Sequence, residues 1–358
     1  MDRNKISTEA FYNEYHGHKT SDLKKIHKIL ENIRDNQKFI YFCGDSTLDN
    51  KHWFNDTAAA VNGYETALDS PWAPISAPIS APRSRCDVAY WVNKFAEENR
   101  EKEENREKYE NFDKLMNIDE NRETTFNSFL KENLKNEENQ EKNENQKKSS
   151  TENNFVCINT SVEESTLADR DNGNLLAQDE FIRDNITKND ILVVSVGGND
   201  VALKPSAATI ASVSAIIGQS FITSAKTDKI GTGHFVNLFG AKTQTYIENL
   251  ISKTKPKLVI VGMLYFLDEN ANASSWARGT LKVLRYNSKP EILQNLIRTV
   301  YEKGTKSIEI SGTKVVHLPF FEFLDGKCTT DYAARVEPSA KGGRKMGKAI
   351  FDKVLAEY

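Results

Sequence analysis

Five short runs of apolar residues, rich in β-branched and aromatic side chains, punctuate the chain at 38–43, 155–159, 190–196, 257–264 and 314–318. Each stops abruptly in polar or glycine-rich sequence, and none alternates. Runs of this length and evenness are the signature of strands buried on both faces. Between them apolar residues recur at helical spacing. Leu23, Ile26, Leu30 and Ile33 follow a capping Thr20 or Ser21, and Val88, Trp91, Val92 and Phe95 share one face. Helices are also predicted over 175–186, 207–225, 243–251, 290–301 and 340–355, the fourth with a favourable Pro290 at its start and the last with Met346, Ile350 and Val354 aligned. Strands alternating with helices predict an α/β chain, a three-layer α/β/α sandwich on a mainly parallel five-stranded sheet.

Three stretches interrupt this rhythm. Residues 1–19 read as an irregular N-terminal arm, and 71–82, with four prolines, as a surface loop. From 97 to 154 Glu, Asn and Lys dominate and apolar residues are sparse. Such a segment buries too little surface to offset its ordering entropy, so it reads as a low-complexity charged insertion, disordered or partly helical. The expected domain therefore comprises 20–96 and 155–358. A role for the insertion in recruiting a protein partner stays open beside its reading as a solvated loop.

Composition narrows the function classes. A formal net charge of −3 argues against a general nucleic-acid binder, which needs a basic face. Cys43, Cys86, Cys157 and Cys328 show no metal-ligand spacing and read as reduced thiols. The N-terminus lacks the apolar core of a secretory signal, and no run approaches the ~18 apolar residues of a membrane span. The expectation is a soluble, cytoplasmic protein acting on a small molecule.

The chemistry gathers at strand ends. The first strand runs into Gly44-Asp45-Ser46, the second into the stretch Asn159 to Thr166, and the third into Gly197-Gly198-Asn199-Asp200. A further polar cluster, from Asp331 through Glu337 to Ser339, precedes the last helix. In open α/β sheets ligands bind at the carboxyl edge, so these segments are expected to share a site. Ser46 there is either a turn residue or a nucleophile. Asp45, Asp49, Asp200 and Glu164 offer, as a weaker alternative, an oxygen-ligand metal site.

The Gly-Asp-Ser and Gly-x-Asn-Asp blocks, in this order and at strand ends, resemble those of the SGNH (GDSL-type) hydrolase superfamily, from residue 38 to the C-terminus. The resemblance implies an SGNH/flavodoxin-like fold, no cofactor and no metal, since it accounts for Asp45 and Asp200 without one. It implies Ser46 as nucleophile, with its own N–H and the Asn199 amide as oxyanion donors. The family's second block, Asn-x-x-x-x-Gly-x-Thr, falls on Asn159 to Thr166 and puts Glu164 where a glycine donates its N–H; Asn62-Gly63 fits less well. A carboxylate there disfavours an oxyanion unless it points away.

The last block departs further. Where the family has Asp-x-x-His-Pro, this chain has Ala334 and Glu337 before Pro338, and no histidine follows His317. Glu337 with a raised pKa, Asp331, His317 or His52 are the available bases. Against each stands a plainer role: an ion pair of Glu337 with Arg335, a core or edge position for His317, packing for His52. The chain also resembles a subgroup in which Gly-Gly-Asn-Asp and Arg-Val-Glu-Pro-Ser occur together, with Asp-Asn-Lys after the serine. The expected activity is serine ester hydrolysis through an acyl-enzyme on Ser46. The alternative is a catalytically impaired binding protein for an acylated or carbohydrate ligand.

Overall fold

The computed structural model describes residues 5–69, 82–119, 154–219 and 231–358. The proline-rich stretch up to 81, the insertion from 120 to 153 and the expected helix beyond 219 lie outside the described residues. In chain order the strands are β1 (Lys38–Gly44), β2 (Thr57–Ala59), β3 (Arg83–Arg85), β4 (Phe155–Asn159), β5 (Ile191–Ser195), β6 (Leu258–Met263), β7 (Lys314–Pro319), β8 (Tyr332–Ala333) and β9 (Glu337–Pro338). Five of them form one sheet in the order β4-β1-β5-β6-β7, all neighbours parallel. Counted along that sheet alone the order is 2-1-3-4-5, the flavodoxin-like doubly wound arrangement, whose switch point lies beside the first strand.

The pleat divides the core into two layers. Phe39, Tyr41, Val156, Leu192, Val194 and Val259 face one side, against the helices Thr20–Glu31, Ala177–Asn185, Thr243–Leu250 and Glu291–Lys303. Ile40, Phe42, Cys157, Ile191, Val193 and Ile260 face the other, against the helices Val88–Asp119 and Ala340–Glu357. Both faces are covered, which is why the strands read as unbroken apolar runs. No helix among the described residues is long and apolar enough to cross a membrane.

Two expectations need correction. The N-terminal arm is not irregular throughout, because Ser7 caps a helix Thr8–Asn13 and Phe11, Tyr12 and His18 are buried. The charged insertion also begins later than 97 and ends before 154. Glu97 accepts the Asn62 backbone N–H at 2.9 Å, and Arg100 donates to the Asn62 side-chain oxygen at 2.9 Å. At the other end the Asn154 carbonyl accepts the Lys38 N–H at 2.8 Å. Composition marks where apolar residues stop, but long polar side chains keep making domain contacts for another turn.

Candidate active site

β1 lies between β4 and β5, so the loop that leaves it at Gly44 faces the loops that leave both neighbours. Gly44 takes φ +142, and a Cβ there would stand 1.9 Å from the Ser195 carbonyl oxygen, so only glycine lets the two strand ends meet. Beyond it the chain turns tightly: Asp45 Oδ1 accepts the Thr47 N–H at 2.9 Å, which presents the half-buried Ser46.

The residues behind the serine tie this loop to the others. Asn50 donates to the Pro338 carbonyl at 2.9 Å and accepts the Val88 N–H at 3.1 Å. Fully buried Lys51 pairs with Asp49 and, at 2.6 Å, with Glu163, whose other oxygen accepts the Gly17 N–H. Burial opposes the Lys51 charge, but the two carboxylates overcome it and hold its pKa above the ordinary value. The Asn199 amide donates to the Ser165 carbonyl at 3.0 Å, and Asp200 accepts the Leu167 N–H at 2.8 Å. The segments after β1, β4 and β5 are thereby locked together, and Asn50 adds the segment before the last helix.

Ser46, Asn199 and Glu337 line one cavity of about 900 Å3, open mouth included, together with Asp45, Thr47 and Gly198. Glu337 sits on β9, paired across a tight hairpin with Ala333. The turn is left-handed at both Ala334 (φ 48) and Arg335 (φ 67), closed by Val336 N–H to Ala333 carbonyl at 3.2 Å. That geometry is the type I′ pattern, which favours Gly or Asn and costs non-glycine residues roughly 1–2 kcal/mol each. The buried Arg335 guanidinium clamps the turn by donating to the Asp268 carbonyl at 3.0 Å and to Asn287 at 2.8 Å.

Glu337 is almost wholly buried, and its Oε2 has no hydrogen-bond partner among the described residues. Burial pushes its pKa from 4.5 up to about 8, helped by the charges of Asp45 and Glu163 and opposed by the nearby Ser46 and Trp276 side chains. Arg335 spends its donors elsewhere, so the ion pair that would have lowered this pKa does not form among the described contacts. Asp45 behaves similarly: burial raises it to about 6 against the Thr47 hydrogen bonds.

On the oxyanion side, Glu164 adopts φ +60, the left-handed region that suits glycine. Its carboxylate accepts the Tyr15 hydroxyl at 2.8 Å. Neither the Ser46 nor the Glu164 backbone N–H finds an acceptor among the described residues, and the Asn199 amide keeps a second N–H. Ser46 and Asn199 line the cavity, whereas Glu164 does not.

The other expected bases are elsewhere. Asp331 is buried under the last helix, bonded to Lys345 with Lys341 at 3.7 Å, and does not line the cavity. His317 lies on the edge strand β7 with Nε2 3.1 Å from the Ile308 carbonyl, also outside the lining; burial lowers its pKa. His52 is exposed beside Tyr15, ring centroids 4.6 Å apart. The proposed metal ligands are dispersed, since Glu164 faces Tyr15, Asp49 faces Lys51 and Asp200 caps Leu167; no metal-holding cluster occurs among the described residues. Asn62 binds Asn93 and the Phe155 carbonyl, so Asn62-Gly63 is not the second block.

Gly-Asp-Ser after the first sheet strand, the Glu164 loop after the second, Gly-Gly-Asn-Asp after the third and Glu337 before the last helix thus meet at one sheet edge. The fold is a doubly wound three-layer α/β/α sandwich. No family model matches the sequence, and no curated protein matches it. Solved structures resemble it at low identity. Est24, a carbohydrate acetylesterase from Sinorhizobium meliloti, is 12% identical with a TM-score of 0.39 over 90% of this chain and 100% of its own. A GDSL-like lipase from Parabacteroides merdae is 10% identical with a TM-score of 0.39 over 90% and 97%. An aryl esterase from M. smegmatis is 10% identical with a TM-score of 0.37 over 90% and 100%. At such scores the roles of residues in this chain rest on its own geometry.

Sequence reasoning missed Asn50, Lys51 and Glu163 as organisers of the site, and Tyr15, Tyr265 and Trp276 around it. The polar triplet Asp49-Asn50-Lys51, beginning three residues past the serine, was the available signal. Nothing in the sequence marks the Lys51 ammonium as buried.

Proposed function

We propose that the chain is a divergent SGNH-type serine ester hydrolase in which Glu337 takes the part usually given to histidine. The observation that carries this reading is the meeting of Ser46, Asn199 and Glu337 in one cavity, with the Glu337 carboxyl buried there and one of its oxygens unpartnered among the described residues. An isolated serine is a poor nucleophile, and a carboxylate of ordinary pKa is too weak a base to help it. Raised to about 8, Glu337 is a matched one.

In the first step Ser46 Oγ attacks the ester carbonyl carbon and its proton passes to the Glu337 carboxylate. The Ser46 N–H and the Asn199 amide hold the oxyanion. As the bond to the alcohol oxygen breaks, Glu337 returns the proton to that oxygen. Water then attacks the acyl-enzyme, giving its proton to Glu337, and the acid leaves as Ser46 recovers its hydrogen. The Glu337 carboxylate must be ionised at the start of each step. Activity should therefore rise about tenfold per pH unit below 8 and level off above it.

The test is labelling by a fluorophosphonate probe at pH 6 to 9.5, in wild type and Ser46→Ala. Labelling confined to wild type, climbing to a plateau near pH 8, is expected. A folded wild type that takes no label at any of these pH values overturns the assignment and leaves the ligand-binding alternative.

A further inference from the structure

The polar groups of the cavity stand at one end. The remainder is walled by Val201 and Ala202 after Asn199, by Phe235 and Phe239, and by Leu296 and Ile297 from the helix Glu291–Lys303, with further aliphatic residues between. Phe239 closes on the oxyanion side, where its ring would meet a Cβ on Gly197 at 2.8 Å. Several of these apolar side chains, Val201, Ala202 and Leu296 among them, are only half-buried. Trp276, 39% exposed, stands at the cavity as well. A concave, largely apolar surface beside the serine is built to take a ligand.

Its polar inventory restricts which ligand. Away from the serine, the Thr280 hydroxyl donates to the Ala202 carbonyl at 3.3 Å and the Tyr265 hydroxyl to the Val336 carbonyl at 2.7 Å. Both are already engaged, so the deep part has no polar side chain free to recognise a sugar hydroxyl among the described residues. Orientation follows from the proton transfers. The leaving oxygen must face Glu337 and the carbonyl oxygen the Asn199 amide, which leaves the acyl chain as the half of the ester set beside Val201 and Ala202, the residues just after Asn199.

We propose that this cavity is an acyl-chain pocket, and that the substrates are esters of unbranched aliphatic acids of medium chain length, the alcohol lying outside toward solvent. The inference rests on Ser46 being the nucleophile only for turnover, because binding of the chain can be read separately. Each methylene moved from water into the apolar channel contributes about 0.8 kcal/mol, or roughly fourfold.

The experiment uses the full chain with two readouts. Calorimetry on Ser46→Ala measures binding of methyl acetate, butanoate, octanoate and decanoate, which that variant does not consume. Hydrolysis of the corresponding p-nitrophenyl esters by wild type gives kcat/KM at pH 9. Affinity and kcat/KM are both expected to climb roughly fourfold per methylene until the channel is full. Leu296→Trp, or Ala202→Phe from the opposite wall if the first fails to fold, should move the optimum to shorter chains. Binding to Ser46→Ala that does not grow with chain length overturns the acyl pocket, as does acetate being the best ester of wild type. Binding that grows while wild type hydrolyses no ester leaves the pocket standing and removes the catalytic reading instead.

Discussion

Two buried glutamates flank the serine loop under opposite conditions. Glu163 is held by the Lys51 ammonium at 2.6 Å and by the Gly17 N–H, inside a polar junction with Asp49. Glu337 stands against apolar walls, with one carboxyl oxygen unpartnered among the described residues. Both are almost fully inaccessible to water. The difference separates two uses of a buried charge. A paired carboxylate holds segments in register and is expensive to disturb, whereas an unpaired one can change protonation near neutral pH. The two are also linked, since the charge of Glu163 is among the causes that raise Glu337.

The sharpest way to break this contrast is Glu337→Gln. It keeps the shape and removes the base, so kcat/KM for an activated ester should fall on the order of 10²–10⁴ and lose its pH dependence. Stability should move oppositely. With a folded-state pKa of about 8 above the ordinary 4.5, the advantage of the protonated acid is whole below pH 4.5 and is lost as pH rises through 8. Glutamine carries no such liability, so at pH 9 the variant should be more stable than wild type by on the order of 3–5 kcal/mol. Denaturant melts at pH 5 and pH 9 check this; an equal difference at both would show that the carboxyl is not perturbed.

On the paired side, Lys51→Met should cost roughly 3–5 kcal/mol, because it leaves Asp49 and Glu163 together without their cation. A change under about 1 kcal/mol in a urea melt would mean that the junction is hydrated and not a buried triad. Asn199→Ala tests the oxyanion edge between the two. Its hydrogen bond to the Ser165 carbonyl is worth about 1 kcal/mol, while the rate should drop ~10²–10³. A loss confined to KM would assign the amide to ground-state binding only.

The layers and the strands themselves were legible because both sheet faces are covered, which imprints unbroken apolar runs at 38–43, 155–159 and 190–196. Ser46 and Asn199 were legible for a related reason: strand ends of a parallel sheet share an edge, so two motifs over 150 positions apart meet. The proposed base was harder. Sequence offers Asp331 and Glu337 six residues apart with equal chemistry, and only the left-handed turn at Ala334 and Arg335 decides which of them reaches the cavity. The Glu164 substitution was equally opaque, because its partner Tyr15 comes from an arm whose sequence looks unstructured. Burial of Lys51 leaves no periodic trace at all.

The smallest expected effects belong to the residues that share the base's chemistry but not its place. His317 could supply an imidazole only if β7 or its loop moved, because it is fixed on the edge strand by the Ile308 carbonyl and lies outside the cavity lining. Asp331 could accept a proton only if freed from Lys345 on the last helix, where its backbone carbonyl also receives the Ser339 N–H at 2.9 Å. His317→Gln preserves a donor for the Ile308 carbonyl, and Asp331→Asn keeps the shape while surrendering an ion pair whose lysine is partly in water. Each should therefore leave kcat/KM within about twofold and lower stability by no more than about 1–2 kcal/mol. Fluorophosphonate labelling rates for both variants, read beside Glu337→Gln at pH 9, make the comparison direct. A hundredfold loss in His317→Gln with Glu337→Gln still reactive would move the proton acceptor to β7, and the unpaired state of Glu337 would then need another explanation.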